Sequence, residues 1–169
     1  MFDSLTGNFG VNNNDSFLGR GFKAGGRGFK GKEVLELSFT EDGIESTFDL
    51  DQGNVPGFNE IGDGGSVSSL LYDSSGNRIG SSESEFELVQ QLDDGSFIAN
   101  VTDTFNFGGG NTLTIGGQLN VQDFEALDPA ELRVIEGSGI YDDAIGKAIL
   151  QQQQLGVLDV INVDIQVIV

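Results

Sequence analysis

The stretch Leu132-Arg133-Val134-Ile135-Glu136-Gly137-Ser138-Gly139-Ile140-Tyr141-Asp142-Asp143-Ala144-Ile145-Gly146-Lys147-Ala148-Ile149-Leu150 decides the fold of this 169-residue chain. Two short apolar runs, 132–135 and 147–150, have the composition of β-strands, and three glycines lie between them. Glycine permits close packing and backbone angles that other residues avoid. This spacing predicts a tight corner between two strands, and such corners bend a sheet into a closed barrel.

The chain from Glu33 onward alternates short β-prone runs with turn residues, and no helix is predicted. The candidate strands are 33–41, 46–51, 66–72, 83–91, 97–107, 112–121, 130–135, 148–154 and 157–169. Turns are predicted at 42–43, 75–77, 93–95 and 108–110, which are rich in Gly, Asn and Asp. Nine such runs predict an all-β protein, a small closed antiparallel barrel of about eight strands with one long strand split or one short flap.

The chain contains no cysteine and no histidine. Thiolate nucleophiles, imidazole bases, serine-histidine triads and most zinc sites are therefore excluded. The acidic pairs Asp49/Asp51 and Asp142/Asp143 admit a calcium site, but they lack the ligand spacing of an EF-hand loop, and solvated turn residues are the preferred interpretation. We therefore predict no metal. Any catalysis has to use carboxylates, tyrosine, amides, hydroxyls or water.

Charge divides the sequence into two parts. Residues 1–32 hold five of the eight basic residues and two copies of Gly-Arg-Gly-Phe-Lys, whereas residues 33–169 hold 25 of the 27 acidic residues and a formal charge of −22. We predict a flexible Gly/Phe-rich basic tail, 1–32, and a barrel domain, 33–169. The repeats leave open a small nucleic-acid arm. A tail that docks on the acidic body or on a neighbouring subunit is the preferred alternative.

An acidic body disfavours nucleic acids and anionic membranes as partners. The sequence has no run of about 18 apolar residues, so no transmembrane helix is predicted. Residues 1–15 lack the apolar core of a secretory signal peptide. We expect a cytoplasmic protein that assembles as a homo-oligomer, a dimer or a trimer.

The pattern V-I-x-G-S-G-I-Y-x-x-A-x-G-x-x-x-L-Q-Q over 134–152 resembles the late signature of allene oxide cyclases and the wider dirigent-like barrel family. The stretch 71–80 is similar to the family's "LY…G" hairpin, and 105–108 with 113–115 is similar to its central strand pair. Glu136 and Asp143 stand where the family usually has glycine. The resemblance implies a cofactor-free cyclase or isomerase that acts on a flexible, largely apolar substrate, fatty-acid-like or polyketide-like, inside the barrel.

Glu41 is the first candidate catalytic residue. Period two places it at the end of the more apolar face of the first strand, after Leu37 and Phe39. The resemblance implies that Glu41 is a catalytic glutamate inside the barrel, and that Asn59, in V-P-G-F-N, holds a catalytic water. The family's second asparagine is replaced by Gly43, and its serine-proline is missing. On turn chemistry, the alternative is that 41–43 is a solvated turn.

The other candidate residues are apolar or aromatic and are expected to line a ligand cavity, with core packing as the alternative. They are Leu37, Phe39, Tyr72, Phe86, Phe105, Phe107, Leu119 and Tyr141. Phe86 and Leu119 align near the family's cavity cysteine and cavity tyrosine. If Glu41 is solvated, chemistry is to be sought among Tyr72, Asp103 and Tyr141. The competing function is a non-catalytic barrel that binds a hydrophobic small molecule or a protein partner.

Overall fold

Eight antiparallel strands, paired in chain order, form a closed barrel in the computed structural model, which describes residues 33–49, 60–154 and 157–169. The strands are β1 (Val34–Asp49), β2 (Gly64–Tyr72), β3 (Arg78–Gln91), β4 (Phe97–Asn106), β5 (Thr112–Asn120), β6 (Ala130–Ser138), β7 (Ile145–Gln154) and β8 (Val157–Ile168). β1 pairs with both β2 and β8 and so closes the sheet. The predicted all-β closed barrel is confirmed. The predictions for the tail, 1–32, fall outside the described residues.

The predicted turn at Asp42-Gly43 is wrong, because β1 is one continuous 16-residue strand. Asp42 and Gly43 pair with Leu70 and Ser69 of β2. The register shifts between Gly43 and Glu45, which is a β-bulge, and glycine inside a strand commonly marks one. The other three predicted turns are present as hairpins, each closed by a backbone hydrogen bond of 2.8–3.0 Å.

One helix, α1 (Val121–Glu125), follows β5, although the sequence was expected to form none. The Asn120 side chain accepts hydrogen bonds from the backbone N–H groups of Gln122 and Asp123, at 3.0 and 3.3 Å. Asparagine is a preferred N-cap because it satisfies these otherwise unpaired donors. Phe124 anchors the helix by its buried ring. Within the described parts of the chain, no helix is long and apolar enough to cross a membrane.

The predicted glycine corner joins β6 to β7 through a single 3₁₀ turn, Gly139–Tyr141. A Cβ atom at Gly137 would overlap the carbonyl oxygen of Tyr141, so only glycine fits there. Gly139 has a φ of 67°. Asp143, at one of the two positions where the family usually has glycine, has a φ of 58°, and aspartate tolerates this region better than most residues do. The corner thus keeps its geometry despite that replacement.

The core fills the half of the barrel that holds the start of β1 and the end of β8. The Phe39 ring packs edge-on against the rings of Phe105 and Phe107, with centroids 5.0 and 5.7 Å apart, and Phe107 packs against Tyr141 at 5.6 Å. Such aromatic pairs contribute about 0.5–1.5 kcal/mol beyond the burial of their area. We call these four residues the aromatic cluster.

We expect Gly137→Ala to destabilise the barrel by about 1–3 kcal/mol, because the added methyl group forces the corner backbone apart. The free energy of unfolding, measured by urea denaturation, checks this. Glu136→Ala is the matched control, since Glu136 is the exposed preceding residue, and it should change stability by less than about 0.5 kcal/mol. Equal effects for the two variants would contradict a close-packed corner.

Candidate functional site

A cavity of about 170 Å³ occupies the other half of the barrel, where β1 ends and β4 begins. Its wall is mostly apolar and includes Leu88, Ala99, Val101 and Phe124. Phe48, which also lines it, is exposed, so the cavity opens to the surface. An enclosed cavity of about 150 Å³ accommodates benzene. This cavity is therefore large enough for a ring-sized part of a ligand.

Glu41 lies in this cavity and is only 2% exposed. Its position follows from β1 geometry, since alternate residues of the strand, among them Phe39 and Glu41, face inward. The Ser82 hydroxyl of β3 donates a hydrogen bond to Glu41 Oε1. The alternative in which Glu41 lies in a solvated turn is wrong, because the residue is buried and sits inside a continuous strand.

Asp103 of β4 is a second buried carboxyl group in the same cavity, 1% exposed. The Glu41 and Asp103 side chains both line this cavity, and each group influences the ionisation of the other. Ionised carboxylates only accept hydrogen bonds, so a hydrogen bond between the two groups requires a proton on one of them. Within the described residues, Glu41 Oε2 and Asp103 Oδ1 have no hydrogen-bond donor.

Burial shifts the pKa of both groups. Loss of solvation raises the pKa of Glu41, and its hydrogen bonds with Ser82 and Asp103 partly offset this. The pKa of Asp103 is raised well above its ordinary value, first by burial and then by the adjacent charge and hydrogen bond of Glu41. A hydrogen bond from Ser84 opposes that shift. Both pKa values are therefore raised, and the two groups titrate as a pair.

The structure separates the residues that were expected to line the cavity. Phe86 and Leu119 lie in its wall together with Glu41. The aromatic cluster, Phe39, Phe105, Phe107 and Tyr141, packs in the other half of the barrel, and Leu37 packs against that core. Tyr72 pairs with Thr40 and follows the inward-facing Leu71, so it lies on the outer face. Asn59 and the V-P-G-F-N segment lie outside the described residues.

Asp103 was not among the chosen site residues, although its signal was present in the sequence. Period two in β4 places Ala99, Val101, Asp103 and Phe105 on one face, as it places Glu41 on the apolar face of β1. A carboxylate at an inward position of a strand is a functional candidate, because burial of its charge is costly. Tyr141 is buried in the aromatic cluster, and this burial raises the pKa of its hydroxyl.

Solved structures of the same fold come from several proteins. One is a nonspecific heme-binding cyclase that catalyses a 4 + 2 cycloaddition during neoabyssomicin biosynthesis, with a TM-score of 0.66 and 15% identity over 82% of this chain. This chain spans 65% of that cyclase. An exo-specific intermolecular Diels-Alderase has a TM-score of 0.66 and 16% identity, with 81% of this chain and 99% of that chain covered. A pterocarpan synthase dirigent protein has a TM-score of 0.62 and 15% identity, with 90% of this chain and 98% of that chain covered.

At these identities the likeness shows the fold alone. A comparison with curated protein sequences gives no match. The sequence model of the allene oxide cyclase barrel like domain matches residues 44–166, almost the whole barrel and well over half of the chain. The chain belongs to the family of allene oxide cyclase barrel-like domains.

Proposed function

We propose that this protein is a cofactor-free cyclase or isomerase that folds a flexible, largely apolar small molecule inside the barrel. The observation that carries the proposal is the carboxyl pair Glu41 and Asp103, buried together in an apolar cavity. A buried carboxyl group with a shifted pKa in a cavity is a candidate for a functional site. The family and the fold of the related cyclases agree with this proposal.

Confinement supplies the first part of the rate enhancement. A flexible chain that cyclises has to bring two distant atoms together, and a site that holds them in reacting geometry removes much of that entropic cost. The aromatic cluster fills one half of the barrel, so the substrate is confined to the other half.

The carboxyl pair supplies the second part. In this proposal the pair shares one proton, with Asp103 as the proton donor and Glu41 as the charged group. The Glu41 carboxylate stabilises positive charge that develops on the substrate, and this interaction is strong because the surrounding wall is apolar. Asp103 donates a hydrogen bond or a proton to a substrate oxygen. The family resemblance assigns to Asn59 the role of positioning a water or an oxygen atom.

The negative charge of the cavity lining restricts the class of substrate that can bind. Four acidic residues line the cavity, Glu41, Glu85, Asp103 and Glu125, and among the described lining residues there is no lysine or arginine. A substrate carboxylate buried here would meet like charges without a cation to pair with, which is costly. A neutral, polyketide-like substrate is therefore favoured over a fatty acid that enters with its carboxylate.

The carboxyl pair should make the free energy of unfolding decrease as the pH rises. Folding raises both pKa values above the unfolded values of 3.8 for aspartate and 4.5 for glutamate, so above about pH 4 the native state binds more protons than the unfolded chain does. The stability present at low pH is then lost as pH rises through the native pKa values. We expect Asp103→Asn to flatten this dependence and to add about 1–3 kcal/mol of stability at pH 8.

Urea denaturation between pH 4 and pH 8 measures this effect. Asp164→Asn is the control, because Asp164 is exposed on β8 and its replacement removes the same charge from the acidic body. It should keep the slope of the wild type. Parallel curves for the two variants would show that Asp103 and Glu41 do not share a proton in the folded protein.

Glu41→Gln should lower the rate of cyclisation by about 10²–10³-fold and leave KM nearly unchanged, because it keeps the shape of the side chain and removes its charge. The assay follows product formation from linear polyene methyl esters, with the matching free acids in parallel. Esters should be converted and acids should not. Glu87→Gln on β3, an exposed residue outside the cavity lining, should retain full activity.

Two results would oppose the proposal. Full activity of Glu41→Gln would remove the carboxylate from the reaction. Binding of the esters without conversion by the wild type would instead support the competing function, a non-catalytic barrel that binds a hydrophobic small molecule.

A further inference from the structure

We propose that Gln152 is a substrate-binding residue, and that its side-chain amide takes a neutral substrate group that both donates and accepts a hydrogen bond, such as an amide or a lactam. This inference rests on the proposed function only in placing the substrate in the same half of the barrel.

The first observation is that Gln152 is buried without a partner. It is 2% exposed, and both its amide nitrogen and its amide oxygen lack a hydrogen bond within the described residues. Its neighbours on β7 differ, since the Gln151 amide donates to the Leu127 carbonyl at 3.0 Å and the Gln153 amide donates to Asn162 at 2.7 Å. A buried amide with neither group satisfied costs free energy that an apolar side chain would not.

The second observation is the position of Gln152 in the barrel. It continues the buried, inward-facing series of β7 after Ala148 and Leu150, and Leu150 lines the cavity. Gln152 pairs with Ile161 of β8, and Ile161 pairs with Glu41 of β1. Ile161 also lines the cavity. The unpartnered amide and the carboxyl pair therefore lie at one level of the barrel, with a single strand between Gln152 and Glu41.

The chemistry of the side chain selects the ligand group. A primary amide offers two N–H donors and one carbonyl acceptor. A substrate amide or lactam satisfies the Gln152 donor and acceptor together, whereas a ketone satisfies only the donor. A carboxylate also satisfies only the donor, and it brings a second negative charge next to Glu41. The neutral amide class therefore fits both Gln152 and the acidic wall.

Three ring-sized probes of similar shape test this inference in the full-length protein: benzamide, acetophenone and benzoate. Dissociation constants at pH 7 come from isothermal titration calorimetry. We expect the wild type to bind benzamide about five- to tenfold more tightly than acetophenone, the ratio expected for one added hydrogen bond, and benzoate most weakly. In Gln152→Leu, the preference for benzamide should fall below about twofold. Gln151→Leu, on the outer face, should keep the preference of the wild type.

Thermal unfolding separates a binding role from a structural one. Gln152→Leu should unfold at the same temperature as the wild type or at a higher one, because it removes an unsatisfied buried amide. Gln152→Met, which keeps the length of the side chain, provides a second variant if the leucine variant does not fold. An unchanged preference for benzamide in the folded variant, or a preference absent from the wild type, would overturn the inference.

The binding test and the turnover test fail independently. Loss of the Gln152 effect, with turnover still dependent on Glu41, would reject the role of Gln152 and leave the cyclase proposal standing. A benzamide preference that depends on Gln152, in a protein that converts none of the polyene esters, would support the ligand site and reject the cyclase.

Discussion

Pairing of β1 with both β2 and β8 is the constraint on which the rest of the structure depends. A closed sheet has no free edge, so each strand is held on two sides. β1 bonds to β8 from Val34 to Asp42 and to β2 from Thr40 to Asp49. A shift of one residue would turn every side chain of β1 to the opposite face. Two ladders of backbone hydrogen bonds therefore keep Glu41 inside the barrel, although a carboxylate is better solvated in water.

The two halves of the barrel have different contents, and the difference follows from side-chain size. Large rings fill the half around the aromatic cluster, with Phe105 and Leu113 fully buried. In the other half, the inward positions near Glu41 include Ser69, Ser84 and Ala99, which are too small to meet across the interior. The space that they leave is the cavity. The packed half in turn fixes the strands that carry Glu41 and Asp103, and such rigid support is what a precise site requires.

The sequence predicted the barrel from strand periodicity and from the glycine corner, because both are local signals. It failed at Asp42-Gly43, where residues typical of turns form a bulge instead, since pairing on both sides outweighs local preference. It also failed at α1, although Asn120 with Asp123 three residues later is an N-cap signature. Glu41 on an apolar strand face was predictable. The proximity of Glu41 to Asp103, which lies 62 positions later in the chain, was not predictable, because it depends on strand register and tilt.

Two buried carboxyl groups are a poor way to stabilise a barrel, since apolar residues of the same volume would serve as well or better. Their burial is therefore the kind of departure from packing rules that is expected at functional sites. A proton shared between the two groups, as proposed above, lowers the free-energy cost of their burial. It leaves a single charge in the cavity, and the hydroxyl of Ser82 donates a hydrogen bond to Glu41. The proposed sharing places an acid and an anion side by side, an arrangement in which two carboxyl groups can take separate acid and base roles.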